Sequence, residues 1–461
     1  RWSAPAIEYC YSLGLIDGAG DGNFYPAGQL TGVAFAKVLL TALGYSSEKE
    51  GMTGATWSVN VAALAMEVGL DDGIENLAWN SVITREEAAQ MALNAICAPL
   101  VAYESGVTVM VGDTPVSFGS GDAYYVTTTI AREQRISDRR LTNASSTTPN
   151  YTVEFGERYF PLLRLDTESD DFSRPSHTWV YENKELGTYV DYDLLVETYT
   201  AGVSYRDLYD LLGRNNLEDY AFDFYVDGFE NTDVTAQDIL NRTTKTMSHS
   251  GTGVLTQVFV DHEYDNARGR IVITCVNTWL AKVSTGYNEK RENATLTVYR
   301  NYNDLSKKTE TTVKTVSSND LDNVTDLTKD QFVLVNMSAK DAGSLTDWTN
   351  YAVVKISDVE ILTDSTVTKY SKDSDSDPNS DNNKALFNSV TANGVEYKGA
   401  KKAAYSDEVL DLYNNNLLTG KTYNIYLDTY GNAIGIDLYA GEDNYVFITG
   451  YDLNGSSIAN A

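Results

Sequence analysis

The stretch Gly18–Leu40, GAGDGNFYPAGQLTGVAFAKVLL, joins a turn-rich segment to a helix-forming segment. Glycine, aspartate, asparagine and proline crowd its first half, and these are the residues that turns require. The second half is apolar at helical spacing, and Thr31 stands where a helix N-cap is expected. The stretch therefore predicts a helix that begins directly after an elaborate loop. Whether this pattern repeats decides the fold.

The pattern does repeat within the first hundred residues. Each copy is read as helix, loop, helix, and Thr84 followed by Glu87 forms a capping box in the second copy. Four anchors recur at a spacing of 53 to 55 residues: Trp2 and Trp57, Gly14 and Gly69, Gly18 and Gly73, Thr31 and Thr84. Two short helices cannot enclose a core alone, so such units pack on neighbouring copies. We expect the sequence to be a processed or truncated piece, with a third repeat upstream of Arg1.

Composition limits the classes of protein to consider. A length of 461 residues favours about three domains. The 65 acidic against 35 basic residues exclude a nucleic-acid binder, because phosphate neutralisation needs lysine and arginine. No apolar run approaches the ~20 residues of a membrane helix. Cys10, Cys97 and Cys275 are too few and too far apart for a disulfide framework or a Cys-x-x-Cys metal site.

The rest of the chain alternates apolar and polar residues, which is typical of strands. The predicted fold class is multi-domain, with an N-terminal all-α helical repeat followed by predominantly β (α+β) domains. The stretch 150–160 is read as a strand, and the hairpin-like stretches 253–283 and 421–441 are read as related β modules around Asp261 and Asp428. The predicted divisions are helical repeats at 1–100, an α+β domain at 101–250, a β domain at 251–368, a flexible Ser/Asp/Asn-rich loop at 369–384 and a β module at 385–461.

Three quoted motifs carry a family resemblance: WSAPAIEYCYSLGLIDG at Trp2–Gly18, GDGNFYP at Gly20–Pro26 and ITREEAAQMAL at Ile83–Leu93. Together they resemble the S-layer homology repeat. That family packs three repeats around a pseudo-threefold axis and binds secondary cell-wall polysaccharide, often pyruvylated, in grooves between repeats. The resemblance implies a secreted protein, held non-covalently at the cell wall or cell surface of a Gram-positive-type bacterium.

The resemblance also implies which residues bind the glycan. Arg85 matches the arginine that the family uses against the anionic polymer, whereas Gly32 stands at the corresponding place in the first unit. We therefore expect one competent groove around Arg85, with Thr84, Trp57 and Trp2 as further glycan-binding candidates. The alternative is that Arg85 is only a solvent-exposed residue at a helix start, and that both tryptophans are core anchors.

Cofactors are not expected, and Ca²⁺ is considered only as a structural ion. Asp17, Asp21 and Asn23 could gather a cation, although turn chemistry explains them as well. Asp373, Asp375 and Asp377 alternate as in an EF-hand. Pro378 and Lys384 then stand where that motif needs glycine and glutamate, which argues against calcium there.

No catalytic motif is found, so an enzyme is not expected. The sequence has three histidines and lacks a G-x-S-x-G elbow, an H-E-x-x-H motif and a Walker loop. The preferred interpretation is an S-layer-like structural protein that binds wall polysaccharide and self-assembles through its β domains into an array or filament. The alternatives are a surface adhesin or glycan-binding protein with the same anchor, or an anchored polysaccharide hydrolase.

Overall fold

The computed structural model describes only part of the chain. The described residues are 3–16, 18, 23–103, 107–111, 114–118, 121, 123–129, 136, 140–141, 150–265, 268–300, 305, 312–372 and 386–439. The chain forms two compact units: Arg1–Glu168 with His177–Tyr189, and Ser169–Ser176 with Val190–Ala461. The finer domain divisions stay predictions.

The first unit opens with helices at the predicted places. They are α1 (Ala4–Ser12), α2 (Gly32–Ala42), α3 (Trp57–Val68) and α4 (Arg85–Cys97). Thr31 and Thr84 cap α2 and α4 through their hydroxyls, as predicted. Gly69 ends α3 at φ 80°, a left-handed conformation that glycine adopts without a Cβ penalty. An antiparallel bridge between Thr31 and Val82 adds a β element, so the region is not purely helical.

The core of this region is built by α2, α3 and α4. Its buried members from these helices are Val33, Ala36, Leu40, Val61, Ala65, Met91 and Ala95. Helix α1 contributes no buried residue, although its apolar spacing predicts a packed face. Tyr9 and Tyr11 on α1 are each 65% exposed. Helix α2 packs against α3 and α4, so the core of this region forms without α1.

Short strands follow in the first unit: β1 (Val101–Tyr103), β2 (Val107–Val111), β3 (Thr114–Phe118), β4 (Ala123–Tyr125), β5 (Thr127–Thr128), β6 (Arg140–Leu141) and β7 (Asn150–Thr152). The predicted strand over 150–160 is wrong in its second half, which forms helix α5 (Phe155–Tyr159). The absence of a side chain at Gly156 lets this helix pack closely, because a Cβ there would lie 2.6 Å from Ile136 and 2.8 Å from Ile96. Strands β8 (Leu163–Ser169), β9 (Pro175–Tyr181) and β10 (Lys184–Val190) form a three-stranded sheet.

The second unit begins with a five-stranded sheet and three helices. The elements are β11 (Leu195–Tyr199), α6 (Tyr205–Leu212), α7 (Arg214–Asp219), β12 (Ala221–Val226), β13 (Phe229–Glu230), α8 (Ala236–Leu240), β14 (Leu255–Asp265) and β15 (Arg268–Val276). The strand order is β11-β14-β15-β12-β13, and β12 runs parallel to β15. The helices pack on one face of this sheet over a core that includes Leu208, Phe224 and Ile239.

An antiparallel five-stranded sheet comes next. Its strands are β16 (Trp279–Asn288), β17 (Asn293–Val298), β18 (Thr312–Ser317), β19 (Phe332–Ser338) and β20 (Ala352–Asp358), in the order β18-β17-β16-β19-β20. The Lys314 amine donates to the carbonyls of Trp348 at 2.7 Å and Thr349 at 3.0 Å, and also to that of Tyr351. These bonds hold the 348–351 turn against the sheet.

A closed barrel completes the described fold. Its elements are β21 (Glu360–Lys372), β22 (Phe387–Ala392), β23 (Val395–Tyr405), α9 (Asp407–Asn414), β24 (Thr422–Leu427) and β25 (Ala433–Leu438). The strands close in the order β21-β22-β23-β25-β24. The loop predicted to begin at Lys369 therefore begins later, because residues up to Lys372 pair with β22. The mostly β architecture after the helices agrees with the predicted fold class.

Candidate functional site

The start of α4 holds two of the predicted glycan-binding residues, Thr84 and Arg85. The Thr84 hydroxyl accepts a hydrogen bond from the Glu87 amide at 3.1 Å, and the Glu87 carboxylate accepts one from the Thr84 amide at 2.7 Å. This reciprocal capping box fixes the first turn of the helix. Hydrogen bonds from the backbone and side chain of Thr84 hold the pKa of Glu87 below its usual value.

Arg85 is exposed on this fixed turn. Among the described residues its guanidinium has no hydrogen-bond or ion-pair partner. The backbone amides of Arg85 and Glu86 likewise donate to no described acceptor, which is normal at an open helix start. A free guanidinium and two free amides at the positive end of a helix form a suitable surface for an anion.

The corresponding start of α2 is covered. The Gly32 amide donates to the Ser81 carbonyl at 3.1 Å, and the Val33 amide donates to the Trp79 carbonyl at 2.7 Å. We call this pairing of residues 30–33 with residues 79–83 the clasp. The amides that remain free on α4 are therefore already bonded on α2.

The clasp also gives a physical reason for Gly32. A Cβ at this position would lie 3.3 Å from the Trp79 carbonyl oxygen, so a larger residue crowds the paired segment. An arginine at residue 32 would displace residues 79–83 or turn away from the helix start. The sequence predicted a single site because the first unit has Gly32 in place of the arginine. The structure adds that the start of α2 is closed by the clasp.

Trp57 lies at the start of α3 and is half-buried against the helical core. The Lys37 amine lies 6.0 Å from the centre of its ring. The structure records no hydrogen bond or ring contact between Trp57 and the Thr84–Arg85 pair. Trp57 is therefore placed as a core anchor, which was the alternative reading, and its role toward a glycan stays a prediction. Trp2 lies outside the described residues.

The predicted cation ligands are mostly outside the described residues as well. Asp17, Asp21, Asp373, Asp375 and Asp377 all fall there, whereas Asn23 is described and exposed. Within the described ranges, no group of three or more histidine, cysteine, aspartate or glutamate side chains is arranged to hold a metal ion. The Ca²⁺ prediction is therefore not tested.

Partners can be given for His249 and His262. His249 lies 2.8 Å from the Asp233 carboxylate, and His262 lies 2.8 Å from the Tyr220 hydroxyl. Burial lowers the pKa of His249, and its bond to Asp233 opposes this shift. His249 was expected to be exposed, but it is half-buried. No described serine, threonine or cysteine bonds to either ring, so neither forms a nucleophile–base pair here.

A buried carboxyl pair was missed by the sequence analysis. Glu154 is fully buried and accepts a hydrogen bond from the Thr152 hydroxyl. Burial, together with the neighbouring Glu157, raises the pKa of Glu154 to about 7. The residue lies beside the end of α4, where the Phe155 amide donates to the Ala98 carbonyl at 3.0 Å. The strand predicted over 150–160 gave no signal that this carboxyl would be buried.

The first of the two helix–loop–helix copies is similar to a known family. The model of the S-layer homology domain matches residues 1–36, which contain α1 and the beginning of α2. The second copy, with Arg85, lies beyond that match.

A curated relative agrees with this class. The chain is 30% identical over 142 residues to a cell surface protein of Thermoanaerobacter kivui, a match that covers 31% of this chain and 18% of that protein. The chain therefore spans less than a fifth of the length of this relative. The two matches together indicate a cell-surface protein with an S-layer homology segment. No solved structure matches the chain.

Within the described ranges, no helix combines the length and the apolar character needed to cross a bilayer.

Proposed function

We propose that this chain is the anchoring and array-forming part of a secreted, S-layer-like structural protein of a Gram-positive-type bacterium. Its helical repeats bind an anionic secondary cell-wall polysaccharide without a covalent bond, and we expect this polymer to carry pyruvyl groups, as in the S-layer homology family. Its β modules associate with those of neighbouring copies. The role is binding and structural, and no catalysis is assigned to it.

The open start of α4 is the observation that carries the binding proposal. Arg85 presents a planar, permanently charged fork that matches a carboxylate in two parallel hydrogen bonds. The free amides of Arg85 and Glu86 add donors on the same turn. The capping box of Thr84 and Glu87 holds this turn, so the donors are ordered before the ligand binds. Thr84 therefore acts as a positioning residue.

Self-association is supported by an exposed sheet edge, and the composition sets the conditions under which it can occur. The net charge of −30 makes copies repel one another, so array contacts would need salt or divalent cations to screen this repulsion. The three-stranded sheet ends in an exposed edge strand, β10, on which Leu186 and Tyr189 are 59% and 63% exposed. Exposed edges of this kind favour pairing with another chain.

Sedimentation of the chain with purified cell-wall polysaccharide tests the binding proposal. We expect Arg85→Ala to weaken binding about tenfold or more, since a charged hydrogen-bonding group contributes roughly 1.5–3 kcal/mol. Arg158→Ala is the matched control, because Arg158 is an exposed arginine in the same unit and its substitution removes the same charge. Equal binding by the wild type and Arg85→Ala would overturn the assignment of this residue.

Electron microscopy of the purified chain across a calcium titration tests the array proposal. We expect ordered sheets or filaments once cations screen the negative charge. A chain that remains monomeric at every concentration while it still binds polysaccharide would favour the adhesin. Hydrolysis of a polysaccharide panel, abolished by one carboxylate substitution, would instead favour the anchored hydrolase.

A further inference from the structure

Asn393 and Gly394 form the two-residue turn between β22 and β23. Both have positive φ, 51° and 82°, as in the type I′ hairpin turn in which Asn-Gly is a favoured pair. Both residues are exposed, so water reaches the turn. The sequence contains one further Asn-Gly pair, Asn454–Gly455, which lies outside the described residues.

The Asn393 side chain is held against β21. Its Nδ2 donates to the Ser365 hydroxyl oxygen at 3.1 Å, and its Oδ1 accepts from the Thr366 amide at 3.3 Å. The Asn393 backbone amide donates to the Thr366 carbonyl, also at 3.3 Å. At Thr366 strand β21 ends its pairing with β24, and at Val367 it begins its pairing with β22. The turn is thus bonded to the point where β21 closes the barrel.

The backbone nitrogen of Gly394 is a nucleophile next to this side chain. It is bonded to the main-chain carbonyl carbon of Asn393, so its attack on the side-chain carbon Cγ closes a five-membered ring. This nitrogen donates to no acceptor among the described residues. A Cβ at Gly394 would meet nothing within 4 Å, so the surroundings leave room for the chain to bend into the ring. A covalently fixed proximity of this kind lowers the barrier to bond formation.

Other asparagines in the described part of the chain share the left-handed conformation but not the glycine. Each is followed by a residue whose side chain crowds the attacking nitrogen. The pairs are Asn76–Leu77, Asn183–Lys184, Asn323–Val324 and Asn416–Leu417. The following glycine, rather than the turn conformation, therefore distinguishes Asn393.

We propose that Asn393 is a site of spontaneous modification, at which water converts the asparagine to aspartate and isoaspartate through a cyclic imide. Hydroxide removes the Gly394 amide proton, and the nitrogen attacks Cγ of Asn393 and forms a C–N bond. The Cγ–Nδ2 bond breaks, and Nδ2 takes a proton from water and leaves as ammonia. Water then opens the ring. Breaking the new bond to Cγ gives aspartate, and breaking the bond to the main-chain carbonyl carbon gives isoaspartate.

The contact with Thr366 supports this reaction in the folded chain. Negative charge develops on Oδ1 as the nitrogen attacks, and the Thr366 amide already donates to this oxygen. A donor placed where charge develops stabilises the transition state. The fold therefore holds the side chain by a bond that the reaction strengthens.

The two products affect the barrel differently. Isoaspartate adds one carbon to the main chain of the turn, so the tip of the hairpin loses its present fit to Thr366. Aspartate leaves the main chain unchanged, and its carboxylate still accepts from the Thr366 amide. The isoaspartate form should therefore loosen β21 at the point where the barrel closes.

Incubation of the full-length chain in mildly alkaline buffer, followed by trypsin digestion and mass spectrometry, tests the proposal. Trypsin releases residues 385–398 as one peptide, which contains Asn393 and, as an internal control, Asn388 before a serine. We expect this peptide to gain the mass difference between one water and one ammonia at residue 393, and to separate into two products of equal mass. A sample digested without incubation corrects for conversion during digestion.

A synthetic peptide of residues 385–398 gives the rate of the reaction without the fold. Persistence of Asn393 in the folded chain while this peptide is converted would overturn the proposal. Conversion of Asn388 at the same rate as Asn393 would also overturn it, because the glycine would then have no role.

Substitutions test the role of the glycine directly. Gly394→Ala keeps the asparagine and should slow its conversion several-fold. Gly420→Ala is the matched control, since Gly420 also has positive φ and open surroundings but follows no asparagine, and it should leave the rate unchanged. Equal rates in Gly394→Ala and the wild type would overturn the assignment.

Hydrogen exchange measures the effect on the barrel. The Thr366 amide should exchange several-fold faster in the incubated chain than in the fresh chain. Asn393→Asp, which has the ordinary main chain, should remain close to the fresh chain. Equal protection of Thr366 in incubated and fresh chains would overturn the predicted loosening of β21.

Discussion

The open sheet of residues 195–276 and the barrel of residues 360–438 use the same chain path. In each, a first strand is followed by a helix and a hairpin, and the second strand of the hairpin pairs parallel with the first strand. The elements are β12, α8, β14 and β15 in the sheet, where the short strand β13 precedes α8, and β23, α9, β24 and β25 in the barrel. An earlier strand pairs with the third element of each set, β11 with β14 and β21 with β24. The two β modules expected from the sequence thus share a topology.

They differ in whether the sheet closes. Strand β21 has 13 residues and pairs with β24 along its first half and with β22 along its second. Strand β11 has five residues and pairs only with β14, so the sheet stays open and helices cover it. The difference thus lies in one strand: β21 is long enough to pair with both β22 and β24 and closes the barrel, whereas β11 pairs with a single strand and leaves the sheet open. Each module also has a hairpin turn with the same backbone conformation, and the turn at Gly228 is crowded whereas the turn at Gly394 is open.

The largest expected effect comes from two hairpin turns with the same backbone conformation, one in each module. Gly228 follows Asp227, and a Cβ there would lie 2.2 Å from the Asp171 carbonyl oxygen, whereas Gly394 has nothing within 4 Å. Both glycines have positive φ. We expect Gly228→Ala to lower the free energy of unfolding by about 4 kcal/mol and Gly394→Ala by about 1–2 kcal/mol. Urea unfolding of the full chain measures both, and equal losses would contradict the contrast.

A pH effect follows from the contrast between the buried Glu154 and the exposed Glu87. The pKa of Glu154 is raised from 4.5 to about 7, so its protonated form is favoured in the folded state. The contribution of Glu154 to the free energy of unfolding is therefore largest below pH 4.5 and is lost as the pH rises through 7. The loss arises because burial and the neighbouring Glu157 disfavour the ionised form only in the folded state.

Hydrogen exchange of the full chain tests this at the amides of Leu100 and Phe155, which donate to Val153 and Ala98. We expect faster exchange at pH 8 than at pH 5 after correction for the intrinsic rate. Glu154→Gln should remove most of the difference, and Glu87→Gln should leave it. A pH-independent corrected rate in the wild type would contradict the prediction.

The two hairpin aspartates give the next contrast. Asp428 is 5% exposed and accepts bonds from the Tyr430 amide at 2.8 Å and the Asn432 amide at 2.8 Å. Asp261 is only half-buried. We expect Asp428→Ala to cost about 2–3 kcal/mol, because buried donors lose their acceptor, and Asp261→Ala to cost less than about 1 kcal/mol. Thermal unfolding of both variants measures the difference, and a larger shift for Asp261→Ala would reverse it.

The smallest effect is expected at the two helix starts. Gly32→Ala should cost about 1 kcal/mol or less, since the Trp79 carbonyl must move by a few tenths of an ångström while alanine favours the helix. Arg85→Ala should leave stability unchanged within about 0.5 kcal/mol, because its side chain is exposed and has no partner among the described residues. Circular dichroism melts measure both. A large loss in Arg85→Ala would mean that the residue is structural.

Local elements were the part of the fold that could be predicted from the sequence. Periodicity and caps located α2, α3 and α4, and alternation located the hairpins around Asp261 and Asp428. The parallel pairing of β12 with β15 and the closure of β21 onto β24 were not predicted, because they depend on residues far apart in the chain. Helix α5 was missed because the packing of Gly156 against Ile96 and Ile136 overrides local preference.

The candidate site was predicted at Thr84 and Arg85 from the motif they share with the S-layer homology family. Its environment was not predicted, since the clasp depends on pairing between residues about fifty positions apart. The sequence contains Gly32 but does not show that its amide is bonded to Ser81. Trp2, Asp17 and Asp21 lie outside the described residues, so their predicted roles are unchanged.

Under the proposed function, the clasp determines how many contacts with the polymer this part of the chain can make. One of two equivalent helix starts is used to join the repeats, so this part of the chain offers a polymer one arginine-bearing end. A single contact of that kind dissociates quickly. Many copies held side by side dissociate far more slowly from the polymer without any new contact, because linked sites rebind at a high effective concentration. Firm attachment to the wall would then belong to the assembled layer, and an isolated chain would exchange freely.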